Sequence, residues 1–269
     1  MKVVILAGGF GTRIGEETVL KPKPMVEIGG YPILWHIMKI FSKQGFNDFI
    51  ICAGYKQHVI KEFFADYFLH TADVTFDFTE ARSNVVVHHA KTEPWKVTVV
   101  DTGYATMTGG RVKRIKEYIG NDSFLLTYGD GVADIDVNSL VKFHNNHGKT
   151  VTISAYNAEQ RFGVLDISEE GCVREMREKA QGDGGLINIG FMVCNPNLLD
   201  YIEGDDVMLE KEPLSALAAR GELVARRHDG FWQCMDTLRD KEKLERMIKR
   251  NGGSLDLSDT QITALPDNL

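Results

Sequence analysis

The sequence has few of the features that mark membrane or secreted proteins. No apolar run approaches the ~18 residues that a bilayer-spanning helix needs, and no signal-peptide pattern opens the chain. The four cysteines, Cys52, Cys172, Cys194 and Cys234, are far apart and form no C-x-x-C pair. This spacing predicts reduced core residues and argues against a disulfide framework or a cysteine metal site. We therefore expect a cytoplasmic protein with no membrane partner.

Positively charged residues are fewer than negatively charged ones. The chain has 31 lysines and arginines against 38 acidic residues, which gives a net charge of −7. No basic stripe is present that could neutralise a nucleic-acid backbone, so we expect no nucleic-acid partner. The local cations at positions 13, 21, 23 and 111 suit one small anionic ligand instead. A hydrophobic content of 43% in 269 residues is enough for a buried core.

Short apolar runs alternate with helix-like segments in the first half of the chain. Strands are predicted at 2–6, 48–53, 97–100, 123–128 and 150–156, and helices at about 32–43, 57–69, 111–119 and 137–147. Such alternation predicts an α/β fold in which helices flank a mostly parallel, Rossmann-like mixed sheet. Further strands at 163–167, 172–176, 187–194 and 222–226, with helical pieces at 196–202, 212–220 and 238–250, should extend this sheet.

The domain organisation follows from the absence of a linker. No Pro-, Ser- or Gly-rich stretch interrupts residues 1–250, which we therefore interpret as one domain. Residues 251–269 differ, because their leucines and isoleucine are spaced as in a single leucine-rich repeat. One repeat cannot bury its own apolar face, so we interpret this segment as a C-terminal extension.

A glycine-rich loop follows the first predicted strand. Residues 7–13 have the sequence A-G-G-F-G-T-R, and Lys21 and Lys23 come soon after them. Small residues let backbone N–H groups approach phosphate oxygens, and Arg13 and Lys23 add positive charge. The loop therefore predicts a site for a nucleoside triphosphate.

Two known phosphate-binding loops fit this segment less well. A Rossmann fingerprint requires a third glycine where the chain has Ile14. A Walker A loop places Gly-Lys-Ser/Thr directly before a helix, which the Lys-Pro-Lys-Pro run at 21–24 cannot begin cleanly. For the loop taken alone, a purely structural strand-to-helix turn remains the alternative.

Five segments occur in the order typical of one enzyme family. They are L-A-G-G-F-G-T-R at 6–13, K-P-K-P-M at 21–25, D-T-G with M-T-G-G-R within 101–111, T-Y-G-D-G-V-A-D at 127–134, and G-F-W with M-D-T-L-R-D within 230–240. Together they resemble the sugar-1-phosphate nucleotidylyltransferases over about residues 1–250. The longer run at 21–38 is most similar to the members that use CTP and glucose 1-phosphate. The resemblance implies a GT-A-like nucleotidyltransferase fold.

The resemblance also implies the site residues. Arg13, Lys23 and Asp130 are expected to be catalytic. The expected nucleotide site comprises Leu6, Ala7, Gly8, Gly9, Gly11, Thr12, Arg13, Lys23, Thr106, Arg111 and Gly129, and the expected sugar-phosphate site comprises Glu178, Lys179 and Asn188. The residues themselves support the segment 106–111, because two glycines and an arginine there open a predicted helix. Free N–H groups and the positive helix end suit triphosphate oxygens.

Asp130 and Asp236 are the candidate magnesium ligands. Asp130 follows an apolar strand, and the glycines on either side leave space beside its carboxylate. Mg²⁺ binds few protein carboxylates and completes its coordination with phosphate and water oxygens, so one further acidic residue would suffice. The resemblance supplies Asp236 for this role. Its position before Leu238 also fits an N-cap of the last helix, and the sequence leaves both roles open.

For the reaction, the resemblance implies cytidylyl transfer from CTP to α-D-glucose 1-phosphate, which yields CDP-glucose and pyrophosphate and uses Mg²⁺ as cofactor. In this family CDP-glucose feeds dideoxysugars of bacterial surface polysaccharide (O-antigen), and a homo-oligomer, a hexamer, is implied. Two alternatives stay open: uridylyl or thymidylyl transfer to the same sugar phosphate, and a nucleotide-sugar sensor without turnover. Lys23, Asp130 and Asp236, whose loss would favour a sensor, are all present.

Overall fold

The computed structural model describes residues 1–79, 84–89, 92–157, 164–167, 171–177 and 185–250. Its strands are β1 (Val3–Ala7), β2 (Glu27–Ile28), β3 (Tyr31–Pro32), β4 (Asp48–Ala53), β5 (Asp73–Asp77), β6 (Asn84–His88), β7 (Lys96–Asp101), β8 (Phe124–Tyr128), β9 (Gly131–Ala133), β10 (Val151–Asn157), β11 (Val164–Ile167), β12 (Val173–Arg177), β13 (Leu186–Asn188), β14 (Met192–Cys194), β15 (Leu223–His228) and β16 (Trp232–Cys234).

The α-helices are α1 (Glu16–Leu20), α2 (Ile33–Ser42), α3 (Gln57–Ala65), α4 (Tyr67–Thr71), α5 (Thr108–Arg114), α6 (Lys116–Ile119), α7 (Val137–His147), α8 (Glu212–Ala219) and α9 (Leu238–Arg250). Short 3-10 helices cover Thr12–Ile14, Lys23–Met25 and Pro196–Tyr201. Among the helices of the described ranges, none is both long and apolar enough to cross a membrane.

Ten strands form one mixed sheet in the order β12-β11-β13-β10-β14-β8-β1-β4-β7, with β15 beside β10. The strands β8, β1, β4 and β7 run parallel to one another, whereas β14 is antiparallel to β8. Smaller two-stranded sheets pair β2 with β3, β5 with β6 and β9 with β16. The predicted α/β fold with a mostly parallel mixed sheet is confirmed.

Both faces of the parallel strands are buried, because successive side chains of a strand point to opposite faces. On one face, Val3 and Ile5 of β1 belong to a core that includes the apolar side of α2. On the other face, Val4 and Leu6 belong to a second core that includes residues of α5, α6 and α8. Helices on both faces therefore fix the central strands and the loops at their ends.

Three predicted elements are divided or displaced in the structure. The predicted strand at 187–194 is two strands, β13 and β14, because Gly190 and Phe191 between them adopt positive φ angles of 76° and 49°. The predicted helix at 57–69 is broken at Asp66 into α3 and α4, and the one at 111–119 begins earlier, at Thr108, and is broken at Ile115. The hairpin of β5 and β6 was not predicted.

Some sequence predictions fall outside the described residues. These are the sugar-phosphate residues Glu178 and Lys179 and the C-terminal extension 251–269. The division of the chain into one domain and an extension stays a prediction.

The parallel strands place four loops at one edge of the sheet. Because β8, β1, β4 and β7 run in the same direction, their carboxyl ends lie together, and ligands of such sheets bind at this edge. The loops that follow these strands begin at Gly8, Gly54, Thr102 and Gly129. The glycine-rich loop and Asp130 are therefore close in space.

Away from this edge, two histidines share one buried hydroxyl group. His144 Nδ1 lies 2.8 Å and His147 Nε2 lies 2.7 Å from Thr152 Oγ1. His144 Nε2 also lies 3.2 Å from Asn195 Oδ1, and the Lys149 N–H donates to His147 Nδ1 at 2.9 Å. Two neutral rings, each protonated at Nε2, satisfy all of these contacts. A further proton on either ring would add a donor that this network does not need.

This histidine pair predicts a loss of stability in acid. Burial lowers the pKa of His144, and burial together with His144 and Lys149 lowers the pKa of His147. The folded rings therefore stay neutral where unfolded histidines, with a pKa of about 6.5, bind protons. Stability should be fully present above about pH 6.5 and should fall as the pH drops below it.

Urea midpoints measured at pH 7.5 and pH 5.5 test this expectation. His144→Gln should show a smaller drop between the two pH values than the wild type, because one of the shifted groups is gone. His58→Gln, at an exposed position, should show the wild-type drop. An equal drop in all three proteins would contradict the assignment.

Candidate active site

Three charged side chains meet at the carboxyl edge of the sheet. Lys23 Nζ donates to Asp130 Oδ2 at 2.6 Å and to Asp236 Oδ1 at 2.5 Å. The side chains are 12%, 30% and 22% exposed, respectively, so the group is largely shielded but remains accessible to a ligand. One ammonium group therefore pairs with two carboxylates that are distant in sequence.

The small sheet of β9 and β16 sets the spacing of the two carboxylates. Asp130 links β8 to β9, and Asp236 follows β16. The antiparallel register pairs Gly131 with Cys234, and the Met235 N–H donates to the Asp130 carbonyl at 2.8 Å. This register brings both aspartates to the same end of the small sheet.

The electrostatics of the group favour the charged lysine. Burial alone would lower the pKa of Lys23, but the charges and hydrogen bonds of Asp130 and Asp236 outweigh it and raise that pKa above its ordinary value. The ammonium is thus a stable cation between two anions at neutral pH.

The N-cap of α9 is made by residues other than the Asp236 carboxylate. The Thr237 N–H donates to Asp240 Oδ2 at 2.8 Å, and the Asp240 N–H donates to Thr237 Oγ1 at 3.2 Å. This reciprocal pair is a capping box, in which Thr237 is the cap and Asp240 the partner. The Asp236 carboxylate contacts Lys23 instead, so its role as a cation ligand is compatible with the helix.

The two carboxylates fit a divalent cation. Their oxygens already converge on one positive group, the Lys23 ammonium, which acts as a stand-in for an ion. In the part of the chain that the structure describes, no group of three histidine, cysteine or acidic side chains is arranged to hold a metal. A pair of carboxylates that leaves the other positions to phosphate and water oxygens is the donor set that Mg²⁺ prefers.

The glycine-rich loop packs directly against Lys23. Leu6 and Ala7 end β1 inside the core, Gly9 is exposed, and Thr12 begins a short 3-10 helix. Gly11 adopts a left-handed φ of 65°, and a Cβ there would lie 2.9 Å from Lys23 Cβ. Only glycine tolerates both the angle and this approach. The backbone of Arg13 belongs to the 3-10 helix, and its side chain is outside the described residues.

Arg111, which was predicted to belong to the nucleotide site, has its guanidinium bonded to the loops at the ligand edge. Its side chain is buried, with 4% of the residue exposed, and Nη1 donates to Ala53 O at 3.2 Å and to Gly103 O at 2.8 Å. Nη2 donates to Gly8 O at 3.0 Å and to Tyr104 O at 3.4 Å. The guanidinium is committed to backbone carbonyls, so it ties together the loops that follow β1, β4 and β7.

The start of α5 is also occupied. The N–H groups of Gly109 and Gly110 donate to Val207 O at 3.0 and 3.3 Å, rather than pointing to a free phosphate site as predicted. A Cβ at Gly110 would lie 2.5 Å from Asp205 Cα. These glycines therefore allow close packing of the helix against the segment 205–207. Thr106, in the preceding loop, is half-buried.

On the other side of Asp130, Asn188 ends β13. Its Oδ1 accepts from the Gly190 N–H at 3.0 Å, and its buried Nδ2 has no hydrogen-bond partner among the described residues. Gly190 packs against the ring of Tyr128, just before Gly129 and Asp130, where a Cβ would lie 2.9 Å from Tyr128 Cδ2. The unsatisfied buried N–H group of this amide is suited to donate a hydrogen bond to a ligand oxygen.

The sequence also matches known proteins. A family model described as nucleotidyl transferase matches residues 2–233. The chain belongs to this family. It is 59% identical over 251 residues to glucose-1-phosphate cytidylyltransferase of Salmonella typhi, which covers 93% of this chain and 96% of the relative. It is 43% identical over 248 residues to the probable glucose-1-phosphate cytidylyltransferase of Bacillus subtilis (strain 168), covering 92% and 96%.

The fold of the family is found in solved structures. The crystal structure of HddC from Yersinia pseudotuberculosis superimposes with a TM-score of 0.74 at 24% identity and covers 92% of this chain and 99% of that chain. The predicted family and its GT-A-like nucleotidyltransferase fold are thus confirmed. Divalent metals are common in this family, in agreement with the paired carboxylates.

Two features of this nucleotidyl transferase site were not predicted. The first is the capping box of Thr237 and Asp240, although the pattern Thr-x-x-Asp before α9 could have indicated it. The second is Glu210, which accepts from Tyr128 Oη and from Thr108 Oγ1, each at 2.7 Å. Glu210 thereby joins the end of β8 to the start of α5. No local pattern in the sequence links these three residues.

The buried position of Arg111 predicts that its loss weakens the fold. Arg111→Met should lower the free energy of unfolding by about 3 kcal/mol, because several buried carbonyls lose a charged donor. Urea unfolding measures this loss. Arg114→Met is the matched control on the same helix, since Arg114 pairs with Asp205 at the surface and should matter little. Equal small losses in both variants would mean that the buried carbonyl contacts contribute little.

Proposed function

We propose that this nucleotidyl transferase transfers a cytidylyl group from CTP to α-D-glucose 1-phosphate. A phosphate oxygen of the sugar phosphate attacks the α-phosphorus of CTP, the bond from that phosphorus to the bridging oxygen breaks, and pyrophosphate leaves. CDP-glucose is the second product. The 59% identity to the Salmonella typhi enzyme over almost the whole chain supports both substrates.

The observation that carries the proposal is the contact of Lys23 with Asp130 and Asp236 beside the glycine-rich loop. This loop offers backbone N–H groups to phosphate oxygens. Lys23 provides a cation, and Asp130 and Asp236 provide a pair of cation ligands. Binding a nucleoside triphosphate with its counterion requires these two elements together. A sensor that binds the same nucleotide would need them as well, so turnover distinguishes an enzyme from a sensor.

Alignment and charge stabilisation supply the catalysis in this proposal. The second pKa of a phosphate monoester is about 6, so the attacking oxygen is already anionic near neutral pH and no general base is needed. Arg13 and Lys23 stabilise the triphosphate and the departing pyrophosphate. Glu178 and Lys179 hold the sugar phosphate, and the Asn188 amide bonds the sugar hydroxyls.

Asp130 and Asp236 hold Mg²⁺ in this proposal. When bound, the ion supplies positive charge that neutralises the phosphate oxygens at the reacting phosphorus. Lys23 shares the same carboxylate oxygens in the free protein, and its ammonium can pair with a phosphate when the nucleotide is present. The two carboxylates would thus hold the Lys23 ammonium in the free protein and Mg²⁺ when the ion is bound.

We further propose that the product CDP-glucose serves dideoxysugar synthesis for bacterial surface polysaccharide. The working form is a homo-oligomer in the cytoplasm, where CTP is available, and the substrates are small molecules rather than nucleic acid.

The choice of nucleotide is the direct test. With Mg²⁺ and glucose 1-phosphate, CTP should give a kcat/KM at least about tenfold above that of dTTP, a difference of ~1.4 kcal/mol in transition-state stabilisation. Pyrophosphate release with CTP, UTP and dTTP in turn measures this. Equal or faster turnover with UTP or dTTP would assign the chain to a uridylyl- or thymidylyltransferase. Binding of CTP without any release would indicate a sensor.

A further inference from the structure

The small sheet of β9 and β16, which leads into Asp236, is short. Each strand has three residues, and the two strands pair at three positions. A two-stranded sheet is only marginally stable by itself. A slip of one residue would shift Asp236 by about 3.4 Å along the strand and turn every side chain to the opposite face. The distance between Asp236 and Asp130 therefore depends on contacts that fix this register.

Three residues form a clamp at the end of the small sheet that lies away from the two carboxylates. The Asp134 N–H, directly after β9, donates to Phe231 O, directly before β16, at 3.2 Å. His228 Nε2 lies 3.0 Å from the same carbonyl oxygen and 3.0 Å from Asp134 Oδ1. A carbonyl oxygen only accepts, so Nε2 carries a hydrogen and lies between two oxygen atoms. The His228 and Asp134 side chains are 11% and 25% exposed, so both are largely shielded from water.

His228 joins this clamp to the ten-stranded sheet. It is the last residue of β15, which pairs with β10 over six positions, and Tyr156 is its partner in that register. The two rings also lie close together, with centroids 6.1 Å apart. At the other end of the small sheet, Asp130 directly follows β8 of the same large sheet. The small sheet is therefore attached to the large sheet at both of its ends.

The turn between β15 and β16 leaves space for the clamp. A Cβ at Gly230 would lie 2.2 Å from Asp134 Oδ1 and 2.8 Å from Asp134 Cγ. A side chain at this position would displace the carboxylate from His228, so the close approach requires glycine. Asp134 and Gly230 belong to two of the segments typical of the family, at 127–134 and 230–240. The clamp gives both residues a physical task.

We propose that Asp134 and His228 are positioning residues for the cation site, an inference that rests on the proposed function. They act through the register of β9 and β16, which sets the distance between the Asp130 and Asp236 carboxylates. Neither side chain needs to touch the ion. The clamp requires an oxygen atom at Asp134 that accepts from His228, so an amide oxygen at this position can replace the carboxylate oxygen.

Hydrogen exchange of the free protein tests the register without metal or nucleotide. The backbone N–H groups of residues 232–235 should exchange at least about tenfold faster in Asp134→Ala and in Gly230→Ala than in the wild type, because the clamp is lost. Asp136→Ala is the matched control in the same loop. The Asp136 carboxylate accepts from the Ser139 N–H at 2.8 Å and caps α7, so this variant should lower the melting temperature and leave these exchange rates unchanged.

The Mg²⁺ dependence of turnover tests the positioning role. With CTP and glucose 1-phosphate, the Mg²⁺ concentration for half-maximal pyrophosphate release should rise about tenfold in Asp134→Ala and in Gly230→Ala. Asp134→Asn retains an accepting oxygen and should remain within about threefold of the wild type. Asp136→Ala should require the wild-type concentration. Melting temperatures of all variants are compared with the wild type, so that a general loss of folding is recognised.

Three results would overturn the inference. Unchanged exchange in both Asp134→Ala and Gly230→Ala would show that the register does not depend on the clamp. Faster exchange with an unchanged Mg²⁺ requirement would leave the clamp a purely structural role. Equal losses in Asp134→Asn and Asp134→Ala would show that the charge of this carboxylate acts on the ion directly. Failure of the proposed function is recognised separately, since wild-type protein would then release no pyrophosphate from CTP, whereas the exchange rates would still report on the register.

Discussion

The contact of one ammonium group with two carboxylates is the interaction on which the site depends. Asp130 and Asp236 are brought together by the pairing of β9 with β16. Two half-buried carboxylates that contact the same group repel each other unless that group is a cation. Lys23 provides that cation, and Gly11 lets the phosphate loop pack against it. The free protein thus carries a charge arrangement that is already suited to a metal and a polyphosphate.

A second buried cation has a different task. Arg111 contacts neutral backbone carbonyls instead of carboxylates, and its planar fork reaches the loops after β1, β4 and β7 at once. A lysine could not span these acceptors, because its donors diverge from a single atom. Lys23 is therefore an ion-pair partner at the ligand edge, while Arg111 fixes the loops around it.

The sequence predicted the parts of the fold and the site that depend on local patterns. The apolar runs at 2–6, 48–53 and 123–128 were confirmed as strands of the parallel sheet, because buried strands need continuous apolar residues. The glycine-rich loop and Asp130 follow such strands and were found at the same edge. Motif order also sufficed to recognise the family.

Contacts between distant segments leave no local pattern in the sequence from which they could be predicted. The role of Arg111 depends on carbonyls of three loops, and the occupied start of α5 depends on Val207, neither of which is visible in a local pattern. The competing role of Asp236 as a helix cap was excluded only by the hydrogen bonds of Thr237 and Asp240. Tertiary packing determines which partner a side chain contacts, whereas strands and helix caps are indicated by local patterns in the sequence.

If Asp130 and Asp236 form one cation site that Lys23 fills in the free protein, removal of the ammonium must open that site. Binding of Mn²⁺, a paramagnetic substitute for Mg²⁺, can be measured by electron paramagnetic resonance without nucleotide. Lys23→Met should bind Mn²⁺ at least about tenfold tighter than the wild type, and adding Asp236→Asn should abolish this gain. Binding by Lys23→Met that is no tighter than wild type, or a gain that persists without the Asp236 carboxylate, would contradict a shared cation site.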